Sequence, residues 1–224
     1  MWEALRPGFC AAKTPIETKR KTTEAALRPL FLGILYCLFA SNMAVAQNET
    51  PTFVINLFGL TATYEAPPWV QSKIALDEVE IFRQEGVSGN GTRVFITEYI
   101  PQGESIEAWT ELYAIHAETP LSGSVDSYMV GMFEGFQSAC DGALLQTSNT
   151  TAENVSLGVI FCPIYLSDPS TGEVAFVHLQ MVRDILVRNY YHRRVPAFDP
   201  NVETPLSLQE IQRFSTTVAG LSLQ

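Results

Sequence analysis

The sequence predicts a single α+β domain in which helices flank an antiparallel sheet. Segments rich in β-branched and aromatic residues occur both before and after a central region with helical spacing. A capping box formed by Ser207 and Glu210 opens a final helix near the C-terminus. Strands on both sides of two central helices, followed by a last helix, indicate this fold class.

The first strands are predicted from composition and turn signals. Residues 52–66 are rich in β-forming residues and end at two prolines. A strand is favoured at Val79–Gln84, although an amphipathic helix fits the same residues, and a further strand is predicted at residues 93–101. Between them lies Asn90-Gly91, which is the strongest hairpin signal in the chain.

Two central helices are predicted next. Ser105 is a good N-cap for the first helix, and the apolar residues that follow recur at three- and four-residue spacing, namely Ile106, Trp109, Leu112 and Tyr113. A nucleophile elbow is not indicated at Ser105, because the position two residues later is Glu107 instead of glycine. The second helix is expected to end at Cys140.

The remaining elements are strands until the last helix. A short strand is expected within residues 142–149, a stronger one around Cys162, and a hairpin from residues 173–181 and 184–193. Cys140 and Cys162 are the two cysteines after residue 46, so a disulfide is favoured over a metal or redox pair. This disulfide would join the end of the second helix to the sheet.

The first 46 residues predict a secretory signal peptide. A basic region precedes the short apolar run Leu30–Ala40, and Ala44 and Ala46 lie at the end of the segment. This pattern predicts cleavage between Ala46 and Gln47, with an N-terminal membrane anchor as the alternative. The mature chain, residues 47–224, would then be one periplasmic or extracellular domain.

The charge balance restricts the partners of that domain. After residue 46 the chain holds eight Lys and Arg against 21 Asp and Glu, a formal net charge of −13. Phosphate binding requires clustered positive charge, so neither nucleic acid nor an anionic membrane is an expected partner. No second segment is long and apolar enough to predict a membrane span. No cofactor and no metal site is predicted.

One sequence segment, together with the elements that follow it, resembles a known protein family. Residues 101–110 fit the pattern P-x-G-x-S/T-x-x-x-W-T, and Cys140, Cys162 and the predicted hairpin follow. From Val94 to Phe198 the chain resembles a group of exported bacterial proteins that share this segment and a cysteine pair. That group is in turn similar to the PsbP-like α/β/α sandwich. The resemblance implies this fold and an envelope location, and it implies no active site.

The candidate binding residues lie near the end of the predicted hairpin. On a strand, Leu186, Arg188, Tyr190, His192 and Arg194 share one face. The candidate set is Arg188, Tyr190, His192, Arg193 and Arg194. Arginine and tyrosine are common in binding hot spots, which predicts a non-catalytic domain that binds a protein partner of acidic character, or a small anion. The other interpretation of this face is a solvated surface whose arginines pair with the domain's own carboxylates. The alternatives are an exported hydrolase that uses His178 or His192 with distant Glu and Ser residues, and a carrier of a small ligand.

Overall fold

The structure is a computed structural model that describes residues 51–71, 75–148, 152–202 and 204–224, with residues 75 and 76 described by their backbone alone. The predicted signal peptide and the cleavage point between Ala46 and Gln47 lie outside these residues. No helix in the described ranges is long and apolar enough to cross a membrane.

A seven-stranded antiparallel sheet forms the body of the domain. Its strand order is β3-β4-β5-β11-β10-β8-β7, and two smaller sheets have the orders β1-β2-β12 and β6-β9. In chain order the elements are β1 (Thr52–Leu57), β2 (Leu60–Glu65), a 3₁₀ turn (Ala75–Glu78), β3 (Val79–Val87), β4 (Arg93–Pro101), β5 (Glu111–Thr119), α1 (Val125–Ala139), β6 (Cys140–Asp141), β7 (Leu144–Ser148), β8 (Val155–Cys162), β9 (Ile164–Tyr165), β10 (Thr171–Val182), β11 (Ile185–Pro196), α2 (Leu208–Ala219) and β12 (Ser222–Leu223).

The predicted α+β class, with its α/β/α sandwich, is wrong. The described residues are mostly strand, and they contain only two α-helices. The main cause is the helix predicted from Ser105. Ser105 lies in a turn, and residues Glu111–Thr119 form β5, an interior strand of the large sheet. Positions 112–115 of β5 are all buried, so consecutive apolar residues on the two faces of a strand imitated helical spacing.

Several other predictions are confirmed. The second helix begins after its N-cap Ser124 and ends at Cys140, and the capping box of Ser207 and Glu210 opens α2. The strands at Val79–Val87 and Arg93–Pro101 pair as a hairpin across Asn90-Gly91. The long hairpin of β10 and β11 turns at residues 183 and 184, as the sequence predicts.

The two faces of the large sheet are covered differently. On one face, α2 and the sheet β1-β2-β12 enclose the larger core, which includes the buried aromatic residues Tyr113, Phe176, Tyr191 and Phe214. On the other face, α1 packs on β8 and β10 around Met129, Val177 and Leu179. The helix α1 therefore covers only one half of its face, and the other half carries the polar residues described below.

The predicted disulfide is present. Cys140 and Cys162 are bonded, with Cα atoms 5.5 Å apart. Cys140 is the C-cap of α1 and Cys162 is the last residue of β8, so the bond fixes the end of α1 to the sheet. Both cysteines are buried, at 4% and 0% exposure.

Candidate functional site

The central strand β11 carries the predicted binding residues, and the structure separates them into two groups. Arg188, Tyr190, His192 and Arg194 alternate with buried residues and lie on the face that α1 half covers. Arg193 lies on the opposite face, where its guanidinium is 3.1 Å from Glu210 of α2. The predicted set is therefore not one surface, and Arg193 contributes to the packing of α2.

Arg188 lies beside residues of β5. The register of the two strands places Arg188 opposite His116. Arg188 donates a 2.5 Å hydrogen bond to Glu118 Oε1, and His116 Nε2 lies 3.1 Å from the same oxygen. The contact with His116 and the charge of Arg188 hold the pKa of Glu118 below its usual value. One carboxylate thus serves two nitrogen-bearing side chains, although His116 Nε2 is too poorly aligned with it to count as hydrogen-bonded.

His192 is held by a buried carboxylate. Its Nδ1 lies 2.7 Å from Oε1 of Glu173, which is 1% exposed, and Tyr165 donates a hydrogen bond to the other carboxylate oxygen. Burial alone would raise the pKa of Glu173, but the charge and hydrogen bond of His192 together with Tyr165 hold it below its usual value. Phe136 of α1 and Trp109 pack beside the imidazole, with ring centroids 5.8 and 6.4 Å away. These contacts fix the orientation of the ring.

The segment between β4 and β5 packs against this face near His192 and Arg194. Glu104 accepts hydrogen bonds from the backbone N–H and the hydroxyl of Thr110, which shapes residues 104–110 into a turn. Trp109 stacks under the Arg194 guanidinium at 4.1 Å from the ring centroid. Trp109 therefore packs as the sequence predicts, but from a turn instead of a helix. Arg194 is engaged by Trp109 and is not a free cation.

The polar residues of β4, β5 and β11 form one strip beside α1. We refer to these residues as the β11 strip: Glu98, His116, Glu118, Arg188, Tyr190 and His192. Their side chains are partly exposed, at 12% for His116, 15% for His192 and 19% for Arg188. Burial raises the pKa of Glu98. From Arg188 to His192 the strip spans roughly 14 Å, four residues of a strand.

Three nitrogen atoms of the strip lack a hydrogen-bond partner within the described residues. They are Arg188 Nε, His116 Nε2 and His192 Nε2, and each is buried. Buried polar groups in native proteins are nearly always paired with protein atoms or with ordered water, so water or a polar group outside the described residues can complete these three nitrogens. Because Arg188 is always charged and is a donor only, the group that fits it is an acceptor such as a carboxylate.

The contacts of the two histidines do not form a hydrolase site within the described residues. His178 is 4% exposed and its Nδ1 lies 3.0 Å from the backbone carbonyl oxygen of Val218. His192 is held by Glu173, as described above. Both contacts are made through Nδ1, and neither Nε2 has a hydroxyl partner within the described residues, so no nucleophile–base pair is seen there. Across the described ranges, no three His, Cys, Asp or Glu side chains converge to hold a metal ion.

A separate cleft gives the carrier alternative a location. It lies between α2 and the strands β7 and β8, has a volume of about 360 Å³, and is bordered by Leu157, Val159, Val218 and Ala219. Polar side chains line the cleft as well, namely Gln146, Ser148, Gln212, Ser215 and Thr216. A ligand in the cleft would therefore be amphipathic in character. The cleft is on the opposite face of the sheet from the β11 strip.

Half of the β11 strip was missed by sequence reasoning. Glu98 lies in a correctly predicted strand but was not singled out, and His116 and Glu118 follow the residues that were assigned to a helix. A usable signal was present in the alternation of polar His116 and Glu118 with Ala117, which is typical of a strand with one open face. Glu173 gave no such signal, because a single acidic residue at the start of a strand indicates exposure.

The fold and the strip define a class of domain, an antiparallel β-sheet with a half-covered polar face. The similarity of the chain to known proteins is slight. No protein-family model matches the sequence, and no curated protein matches it. Among solved structures, the chain is similar to the Ran-binding protein Mog1p of Saccharomyces cerevisiae, with a TM-score of 0.41 and 12% identity over 77% of this chain and 95% of that chain. A likeness at this level supports no functional conclusion.

Proposed function

We propose that this protein is an exported, non-catalytic domain that binds an acidic protein partner through the β11 strip. The observation on which the proposal rests is the group of three buried, unpaired nitrogens on Arg188, His116 and His192. An acidic side chain of a partner would supply an acceptor for the Arg188 guanidinium, which is a donor only. Hydrogen bonds to a charged group are stronger than neutral ones, and Arg188 offers the charged donor.

The side chains of the strip are held in place by their own contacts. Arg188 is held by Glu118, and His192 is held by Glu173. The backbone of β11 is hydrogen-bonded to strands on both sides, so the strip is rigid and pre-organised. Pre-organisation reduces the entropy lost when a partner binds.

Export is supported by the cysteine chemistry. A disulfide between buried cysteines forms and persists in oxidising compartments such as the periplasm or the extracellular space. The predicted signal peptide and the resemblance to exported bacterial proteins with the P-x-G-x-S-x-x-x-W-T segment point to the same location. Both stay predictions.

The proposal is tested by an NMR titration with hexaglutamate peptide as the probe. We expect saturable chemical-shift changes at the backbone amides of Ala114, Arg188, Tyr190 and His192. A hydrogen bond to a charged group contributes about 1.5–3 kcal/mol, so the variant Arg188→Gln should bind the probe at least about tenfold more weakly. The variant Arg213→Gln is the matched control, because Arg213 lies in α2 on the other face of the sheet and should bind the probe as the wild type does.

A second variant separates binding from folding. Arg188→Gln alone leaves the partly buried Glu118 without its guanidinium, which destabilises the sheet. The double variant Arg188→Gln with Glu118→Gln removes both charges, so it should fold and still fail to bind the probe. Shifts that are equal in the wild type and the folded double variant would overturn the proposal.

A further inference from the structure

Strand β3 lies at one edge of the large sheet, and its outer side is unpaired within the described residues. Strand β3 is the terminal strand and pairs with β4 on one side, and no other described strand pairs with it. Along its outer side, alternate backbone N–H and C=O groups therefore face away from the sheet. Its residues are exposed from Ile81 onward, and the apolar members Ile81, Phe82 and Val87 are 46%, 37% and 70% exposed.

We propose that β3 pairs antiparallel with β3 of a second copy of the chain, in a register centred on Gln84. In this register Arg83 lies opposite Glu85 of the second copy, and the two-fold symmetry repeats that pair. Ile81 lies opposite Val87 of the second copy, so both exposed β-branched residues gain an apolar neighbour. Opposite-charge pairs and apolar pairs directly across an antiparallel ladder stabilise it. The interface is isologous and closed, as in a C₂ dimer.

The side chains of β3 are arranged for this register. Arg83 stacks over Phe95 at 4.7 Å from the ring centroid and lies 3.1 Å from Glu85 of its own strand, with both charged groups more than half exposed. In the dimer, Arg83 and Glu85 of the two copies would alternate around the two-fold axis and form a small network of charged side chains. Such a network is favoured over an isolated exposed pair.

Phe82 and Gly86 give a second, independent match. The register places Phe82 opposite Gly86 of the second copy, on the other face of the strand from the charged pairs. A Cβ added at Gly86 would meet no atom within 4 Å, so a ring has room to lie over this glycine. Aromatic residues across from an edge glycine are a known way to fix strand register.

Neighbouring registers are disfavoured by charge. Centring the pair on Arg83 places two arginines opposite each other, and centring it on Glu85 places two glutamates opposite each other. Like charges directly opposite in a ladder are destabilising. A register in which residue 84 lies opposite residue 85 would put corresponding side chains of the two copies on opposite faces of the sheet. The register centred on Gln84 therefore satisfies both the charges and the apolar residues.

The test is light scattering coupled to size-exclusion chromatography of the purified protein across the micromolar range. The wild type should elute at twice the monomer mass. Arg83→Glu and Glu85→Arg should each elute as monomers, because each creates two like-charge pairs across the axis. The double variant Arg83→Glu with Glu85→Arg should return to the dimer mass. Arg183→Glu is the matched control, since it makes the same charge change in the exposed β10–β11 turn and should leave the dimer intact.

The register is tested by cross-linking. Residue 84 of the two copies should be about 4.5–5.5 Å apart between Cα atoms, which suits a disulfide. Gln84→Cys should therefore give a covalent dimer on oxidation, whereas Val87→Cys alone should not. A wild type that is monomeric throughout, or a dimer that ignores both charge reversals, would overturn the proposal. So would efficient cross-linking through Val87→Cys and none through Gln84→Cys.

Discussion

At the scale of single residues, buried polar groups are placed by partners distant in sequence. The carbonyl oxygen of Val218, near the end of α2, is contacted by His178 Nδ1 at 3.0 Å and by the Asn189 amide nitrogen at 2.9 Å. The last carbonyls of a helix have no partner within the helix itself. Side chains of β10 and β11 therefore supply the donors that close α2, and they fix α2 on the sheet.

His178 should make stability depend on pH. Burial lowers the pKa of His178 below its usual value of 6.5. The unfolded chain then binds more protons than the folded chain between that lowered value and 6.5, so the free energy of unfolding should fall as pH decreases below 6.5. In His178→Asn an amide nitrogen takes the place of Nδ1 and does not titrate. Urea unfolding followed from pH 7 to 5 should show a weaker pH dependence in this variant.

The wild type and the variant should be compared at each pH in the same buffer. If their free energies of unfolding change in parallel below pH 6.5, His178 is not the group responsible. A control variant, Ser207→Ala, should lower stability by about 1 kcal/mol through loss of the α2 cap, at every pH in this range.

At the scale of elements, the sequence was informative wherever local chemistry decides the structure. The end of α1 at Cys140, the capping box of α2, the Asn90-Gly91 turn and the β10–β11 hairpin all depend on residues close in sequence, and all were predicted. Strand β5 was missed because both of its faces are buried, so polar and apolar residues do not alternate between 112 and 115. Its true period depends on strands that pair with it from elsewhere in the chain.

The disulfide is an element-scale constraint with a measurable effect. Cys140 and Cys162 are 22 residues apart, and in the chain-entropy model a loop of this size corresponds to about 3 kcal/mol of stability. The double variant Cys140→Ser with Cys162→Ser should lose free energy of unfolding of this order in urea denaturation, while circular dichroism still shows a β-rich fold. A loss below about 1 kcal/mol would mean that α1 is held by its apolar face alone.

At the scale of the whole molecule, one long-range pairing creates both the fold and the candidate site. The chain enters the large sheet at β3, reaches β5, and returns from the opposite edge through β7, β8 and β10. The last strand of the large sheet, β11, then pairs with β5 and brings Arg188 opposite His116. This pairing joins residues about 70 positions apart, which is why the sequence could indicate Arg188 and His192 but not the partners that complete the strip.

At this scale we expect the β11 strip to be the surface that meets an acidic partner. The most direct measurement is site-specific photo-cross-linking in the organism of origin, with benzoylphenylalanine in place of Ile96. Ile96 is partly exposed and lies opposite His116 in the ladder of β4 and β5. The matched control carries the same cross-linker in place of Leu208, which is 83% exposed at the start of α2.

We expect a discrete adduct with an acidic protein from position 96, lost when Arg188→Gln and Glu118→Gln are added, and no such adduct from position 208. An equal adduct from position 208, or an adduct from position 96 that survives the removal of both charges, would contradict this expectation.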